Sequence, residues 1–209
     1  MTKVKICGIT NLEDALLSAK LGADALGFNF YEKSSRYITP RNAGKIIGRL
    51  APDVWKVGVF VNETLEKIVE TSVAAKLDVI QLHGDETPHF CNEIRAKTKL
   101  EIIKAFRVSE SFKPEEVLQY DVDAVLLDAY SSTGRGGTGD TFNWEIALKV
   151  RELYPKLFLA GGLSPDNVAN AIAEVKPFAV DACSLLEKNK GRKDARKLES
   201  FLDAVSKQL

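Results

Sequence analysis

The feature that most limits what this chain can become is an alternation that runs from end to end: short apolar segments, each followed by a longer amphipathic one. The short segments fall at 4–7, 25–30, 56–61, 79–82, 101–105, 124–128, 157–160 and 178–181. The longer ones fall at 12–20, 40–49, 65–76, 88–97, 114–119, 144–154, 166–175 and 194–207. Parallel strands need a crossover between them, and a helix is the ordinary crossover, so the pattern predicts parallel strands each covered by a helix. Eight such units in 209 residues predict one α/β domain over 1–209, a (β/α)8 barrel. The structural alternative is an open doubly wound sheet, which ordinarily has fewer strands and leaves two edges to protect.

Local signals agree with the periodicity. Thr39-Pro40, Thr87-Pro88 and Ser164-Pro165 each place a hydroxyl at an N-cap and a proline at the first helical position, where its missing N–H costs nothing. In the last helix Leu198, Leu202 and Val205 recur at helical spacing, with Lys197, Glu199 and Lys207 on other faces.

Composition narrows the function mainly by exclusion. Lys+Arg and Asp+Glu are equal at 29 each, so the charge balance offers nothing to nucleic acid or a membrane surface and points to a small-molecule partner. The cysteines, Cys7, Cys91 and Cys183, and the histidines, His83 and His89, lack the spacing of a metal site, so no metal is expected. An odd set of unpaired cysteines suits a reducing compartment, and the opening residues lack the apolar stretch of a signal peptide. A cytoplasmic protein is the expectation.

In a barrel of this kind the chemistry lies at the C-terminal ends of the strands, and polar residues gather at those places. The first strand ends in Cys7-Gly8, the second in Asn29, the third in Asn62, the fourth in His83-Gly84, the sixth in Asp128, the seventh in Gly161-Gly162 and the eighth in Asp181. Side chains alternate along a strand, so Lys5 and Cys7 share a face, as do Gln81 and His83. Consecutive polar residues on one face of a buried strand are costly unless they have a task. A thiol near Lys5 would have a lowered pKa and could serve as a base, although a buried structural cysteine would read the same. Asp128 ends the apolar run Ala124-Val125-Leu126-Leu127 as an ionisable group, and a turn-forming aspartate is the plainer alternative. His83 suits substrate binding or proton transfer, or a structural role.

Glycine-rich segments complete the pattern. Residues 134–141, Gly-Arg-Gly-Gly-Thr-Gly-Asp-Thr, match G-x-G-x-x-G, but the next strand ends Leu159-Ala160-Gly161 without the acid of a dinucleotide site. Asp140 stands where a P-loop requires lysine, so the segment is read as a cover over the barrel mouth. Gly161-Gly162 and Asp181-Ala182-Cys183-Ser184 fall where barrels often hold a phosphate on backbone N–H groups, and a phosphorylated substrate follows.

These residues carry a resemblance covering nearly the whole chain. Lys5-Ile6-Cys7-Gly8-Ile9-Thr10, Gly58-Val59-Phe60-Val61-Asn62, Gln81-Leu82-His83-Gly84, Gly136-Gly137-Thr138-Gly139 with Phe142-Asn143-Trp144, and Gly161-Gly162-Leu163 resemble, in order and position, the phosphoribosylanthranilate isomerases of tryptophan biosynthesis. The resemblance implies an Amadori rearrangement by general acid and base, with Cys7 as base and Asp128 as acid, and no organic cofactor or metal. It also implies Arg36 as the clamp for the anthranilate carboxylate. Lys5, Gln81 and His83 are expected to contact substrate, and Gly161, Gly162, Asp181, Cys183 and Ser184 its phosphate. A monomer or a homodimer would serve. Two positions depart from the family pattern: Cys183-Ser184-Leu185 stands where Ser-Ser-Gly is usual, and Asp140 where some members carry lysine.

Three rivals remain open at this stage. A histidine-pathway isomerase performs the same rearrangement but generally uses paired aspartates, which Cys7 does not match. An indole-forming lyase would need a catalytic lysine set. A non-catalytic binding barrel is favoured only by Leu185.

Overall fold

A computed structural model describes residues 1–129 and 143–208. Strands β1 (Lys3–Ile6), β2 (Ala25–Asn29), β3 (Trp55–Phe60), β4 (Val79–Leu82), β5 (Glu101–Val108), β6 (Ala124–Ala129), β7 (Leu157–Leu159) and β8 (Ala179–Ala182) pair in chain order, all parallel, and close into a barrel. Closure is direct: Lys3 faces Ala179 and Lys5 faces Asp181 across the β1–β8 pair, which excludes the open sheet. Around it lie α1 (Leu12–Lys20), α2 (Pro40–Ile47), α3 (Leu65–Ala75), α4 (Pro88–Lys97), α5 (Trp144–Leu153), α6 (Val168–Val175) and α7 (Ala195–Ser206). No helix among the described residues is long and apolar enough to cross a membrane.

The expected N-caps hold at two of three sites. Thr39 and Thr87 accept the N–H groups of Asn42 and Phe90. Ser164 instead closes a turn, its Oγ accepting from Asp166 N–H, and α6 begins only at Val168. The fifth expected helix, Pro114–Gln119, is a 3-10 helix. It buries Val117 and so lacks the apolar stripe that would hold a longer α-helix to the sheet. Unforeseen are two short antiparallel strands after β8, β9 (Glu187–Asn189) and β10 (Arg192–Lys193), turned by Gly191 at φ 77°. Residues 134–141 lie outside the described residues.

Strand alternation sorts the side chains into two cores. Outward residues such as Ile6, Leu26, Phe28, Ile80, Ile102, Leu127 and Val180 pack beneath the helices. Inward ones are small or few: Ala25, Val57, Val79, Ile103, Ala105, Ala124, Leu126, Phe158, Ala160 and Ala179. Trp55 and Phe178, stacked at 6.4 Å, plug the N-terminal floor beside Phe158. One further device recurs at that floor. The aspartate just before β2, β4 and β6 accepts a backbone N–H from the preceding strand: Asp24 from Val4, Asp78 from Lys56 and Asp123 from Ile102. Each carboxylate thereby fixes one strand pair in register before the chain reaches the mouth.

Candidate active site

The inward positions nearest the mouth are the polar ones predicted from the sequence. Lys5, Gln81, Asp128 and Asp181 lie on β1, β4, β6 and β8, and Cys7, His83 and Cys183 follow the last residues of β1, β4 and β8. Arg36 reaches in from the loop after β2. The fold makes room for them with missing side chains. A Cβ on Gly27 would stand 2.7 Å from the Cys7 sulfur. Gly8, at φ +75°, would meet both Arg36 and Cys183 at 2.8 Å. Gly161, at φ +86°, would press on the backbone of Ala129 at 2.5 Å.

Two clusters face each other across the mouth. On one side, His83 Nε2 lies 3.3 Å from Asp128 Oδ2, in contact though not aligned as a hydrogen bond. Gln81 Nε2 donates to His83 Nδ1 at 2.9 Å, so Nδ1 accepts and the ring proton belongs to Nε2, on the Asp128 side. The turn after His83 is fixed from beneath. Glu86 accepts from the N–H groups of Gly84 and Asn62, and buried Lys104 donates to Glu86 at 3.0 Å and to the Gly84 carbonyl at 2.9 Å.

On the other side, the fully buried Lys5 ammonium donates to Asp181 Oδ2 at 2.8 Å. Burial works against that ammonium, but Asp181 and Cys7 outweigh it and raise its pKa. The Cys7 thiol differs from expectation. Its hydrogen bond to Cys183, reinforced by burial, raises its pKa despite Lys5. Cys183 takes the opposite shift, lowered to about 6 by the hydrogen bond from Cys7, then by Lys193 and Arg36, against burial and Glu187. Lys5 therefore does not act on an isolated thiol: it faces two coupled cysteines, one pKa pushed up and the other down.

The same contacts locate three further predicted residues. Asp181, expected near the phosphate, turns its carboxylate toward Lys5 inside the barrel. Lys5, expected to contact substrate, is held by that same bond on the strand face it shares with Cys7. Arg36 is not a lone loop arginine: its Nε and Nη2 donate to the two oxygens of Glu187, both at 2.8 Å. Leu185, the departure that favoured a non-catalytic barrel, is exposed and does not adopt a positive φ, so its replacement of glycine neither strains the backbone nor fills the barrel. The N–H groups of Gly162 and Ser184 have no acceptor among the described residues.

Sequence reasoning missed the supporting residues Glu187, Lys193, Glu86 and Lys104. Lys104 carries a legible signal, a lysine inside the apolar run Ile102-Ile103-Lys104-Ala105-Phe106, which must find a partner when buried. Lys193 carries none, because it sits on a two-residue strand that no periodicity announces.

Comparison with known proteins meets this geometry. Residues 4–204 match the family described as N-(5'phosphoribosyl)anthranilate (PRA) isomerase. The chain is 48% identical over 202 residues to the N-(5'-phosphoribosyl)anthranilate isomerase of Geobacter sulfurreducens, covering 97% of each. It is 48% identical to that of Thermotoga neapolitana with the same coverage. The crystal structure of phosphoribosyl anthranilate isomerase from Thermotoga maritima superposes with a TM-score of 0.92 at 44% identity, covering 99% of this chain and 100% of that one. A structure of the enzyme in complex with reduced 1-(o-carboxyphenylamino)-1-deoxyribulose 5-phosphate superposes with a TM-score of 0.88 at 43% identity, with the same coverage. With match, coverage and barrel in agreement, this chain belongs to the phosphoribosylanthranilate isomerase family.

Proposed function

We propose that this chain converts N-(5'-phosphoribosyl)anthranilate to 1-(o-carboxyphenylamino)-1-deoxyribulose 5-phosphate, the Amadori step of tryptophan biosynthesis, in the cytoplasm and as a monomer or homodimer. The observation that carries the reading is the placement of a thiol pair and a carboxyl on facing sides of one barrel mouth, in a chain of this family.

Asp128 protonates the furanose ring oxygen, and the ring opens to an iminium. The C2 proton then passes to the thiolate of Cys7, and the resulting enolamine tautomerises to the ketone. The substrate's own nitrogen is the electron sink, so the chemistry asks for no metal or organic cofactor. Moving the shared proton from Cys7 to Cys183 puts the thiolate on Cys7, above the Lys5 ammonium that favours it. His83, its proton placed by Gln81, steadies Asp128 as it loses its own. Arg36 offers Nη1 to the anthranilate carboxylate while Glu187 holds its other side, a guanidinium fork oriented by one carboxylate to receive a second. The backbone N–H groups of Gly162 and Ser184 receive the phosphate dianion.

The test is loss of anthranilate fluorescence when purified protein meets fresh N-(5'-phosphoribosyl)anthranilate. A steady decay to product supports the reading, whereas a trace no faster than the uncatalysed control overturns it.

A further inference from the structure

Barrel closure sets Cys7 and Cys183 side by side. β1 and β8 pair with Lys5 facing Asp181 and Ile6 facing Ala182, and Cys7 N–H donates to the Ala182 carbonyl at 2.9 Å. The next facing positions on the two chains are the two cysteines. Neighbouring strands run about 4.8 Å apart, inside the roughly 4.4–6.8 Å Cα separation of disulfides. Both side chains point into the barrel from adjacent strands, and each thiol acts on the other's pKa. Neither is sealed from solvent, whereas Cys91 is fully buried in the helix layer.

We propose that Cys7 and Cys183 are a reversible oxidation site, which closes to a disulfide when a hydroperoxide is the oxidant and reopens with a dithiol.

The surroundings fit the chemistry. Lys193 Nζ lies 3.8 Å from the Cys183 sulfur and 3.0 Å from its carbonyl oxygen, and Arg36 stands on the other side of Gly8. These cations favour the thiolate at Cys183, with Glu187, 4.0 Å from the sulfur, the opposing charge. The Cys183 thiolate attacks the terminal oxygen of the hydroperoxide. The O–O bond breaks, the sulfur becomes a sulfenic acid, and the leaving alkoxide or hydroxide takes a proton. Cys7 then attacks the sulfenic sulfur. The S–S bond forms as the S–O bond breaks, and hydroxide leaves as water with the Cys7 proton. Two thiols give up two electrons and two protons, and the hydroperoxide becomes an alcohol, or water, plus water.

The consequence for activity rests on Cys7 being the base; the bond itself does not. Reduced protein is treated with hydrogen peroxide, blocked with a thiol alkylator and analysed by intact mass and peptide mapping, with the isomerase rate followed in parallel. The expected result is a mass lower by two hydrogens, a Cys7–Cys183 cross-linked peptide, a rate lowered by about 10²-fold or more, and recovery of both with dithiothreitol. Cross-linking is expected to slow as the pH is lowered, as the Cys183 thiolate, in the field of Cys7, Lys5, Arg36, Lys193 and Glu187, is protonated. Cys183→Ser, measured against its own untreated rate, is expected to show no dithiothreitol-reversible loss. Oxygen adducts without a cross-link, or thiols unchanged by peroxide, overturn the proposal. A cross-link that leaves the rate intact supports the oxidation site and overturns Cys7 as the base.

Discussion

At the scale of single residues, Cys7 has its place because Gly27 on the neighbouring strand has no side chain, and Arg36 and Cys183 approach each other because Gly8 has none. The reacting groups are therefore held by packing, and substitutions that keep volume small are expected to act on rate rather than on folding. Cys7→Ala and Asp128→Asn should each lower the turnover number by at least about 10²-fold, the lower range for a positioned base or acid. Near-native turnover in either, under conditions where chemistry limits the rate, would contradict the assignment. With Arg36 in the proposed role of carboxylate clamp, Arg36→Met should raise KM more than it lowers kcat, and a drop in kcat at constant KM would remove it from the carboxylate site. That Cys7, Asp128 and His83 gather at one barrel mouth was legible because each is an ionisable group at the C-terminal end of a strand. The state of Cys7 was not legible, because it depends on Cys183, a residue far away in sequence whose proximity only barrel closure creates. The Asp181–Lys5 contact was not legible for a related reason: the strand register that creates it joins residues from the two ends of the chain.

At the scale of elements, period and caps carried most of the fold. All eight strands and seven of the eight helices lay close to their expected places because each buries an apolar stripe or alternating face. Pro114–Gln119 escaped because a proline start without a buried stripe looks the same whether the turn becomes an α-helix or a 3-10 helix. The β9–β10 pair escaped because charged residues dominate it and its register is set by tertiary contacts, Asp14 accepting from Lys193 N–H at 2.8 Å among them. The aspartates before β2, β4 and β6 are elements of register in their own right. Asp123→Ala removes the carboxylate acceptor of the Ile102 N–H, and chemical denaturation should show a loss of about 1–3 kcal/mol. An unchanged midpoint with an unchanged m-value would show that water serves that N–H equally well.

At the scale of the whole molecule, the barrel interior is divided along its axis, with an aromatic floor of Trp55, Phe158 and Phe178 and a charged mouth. The division predicts a division of effects. Phe158→Ala should cost about 3–5 kcal/mol of stability while the folded fraction keeps its KM, since the cavity opens at the end away from substrate. A KM raised many-fold at full folding would mean that the floor shapes the mouth directly. The contact between β1 and β8 gives the molecule one more property. During synthesis the first strand to leave the ribosome already carries Cys7, yet Cys183, Asp181 and Lys193 arrive only after seven other strands have been translated. No nascent chain shorter than β8 can assemble the thiol pair, so the first turnover in a cell-free translation reaction marks the moment at which the ends of the sheet have met.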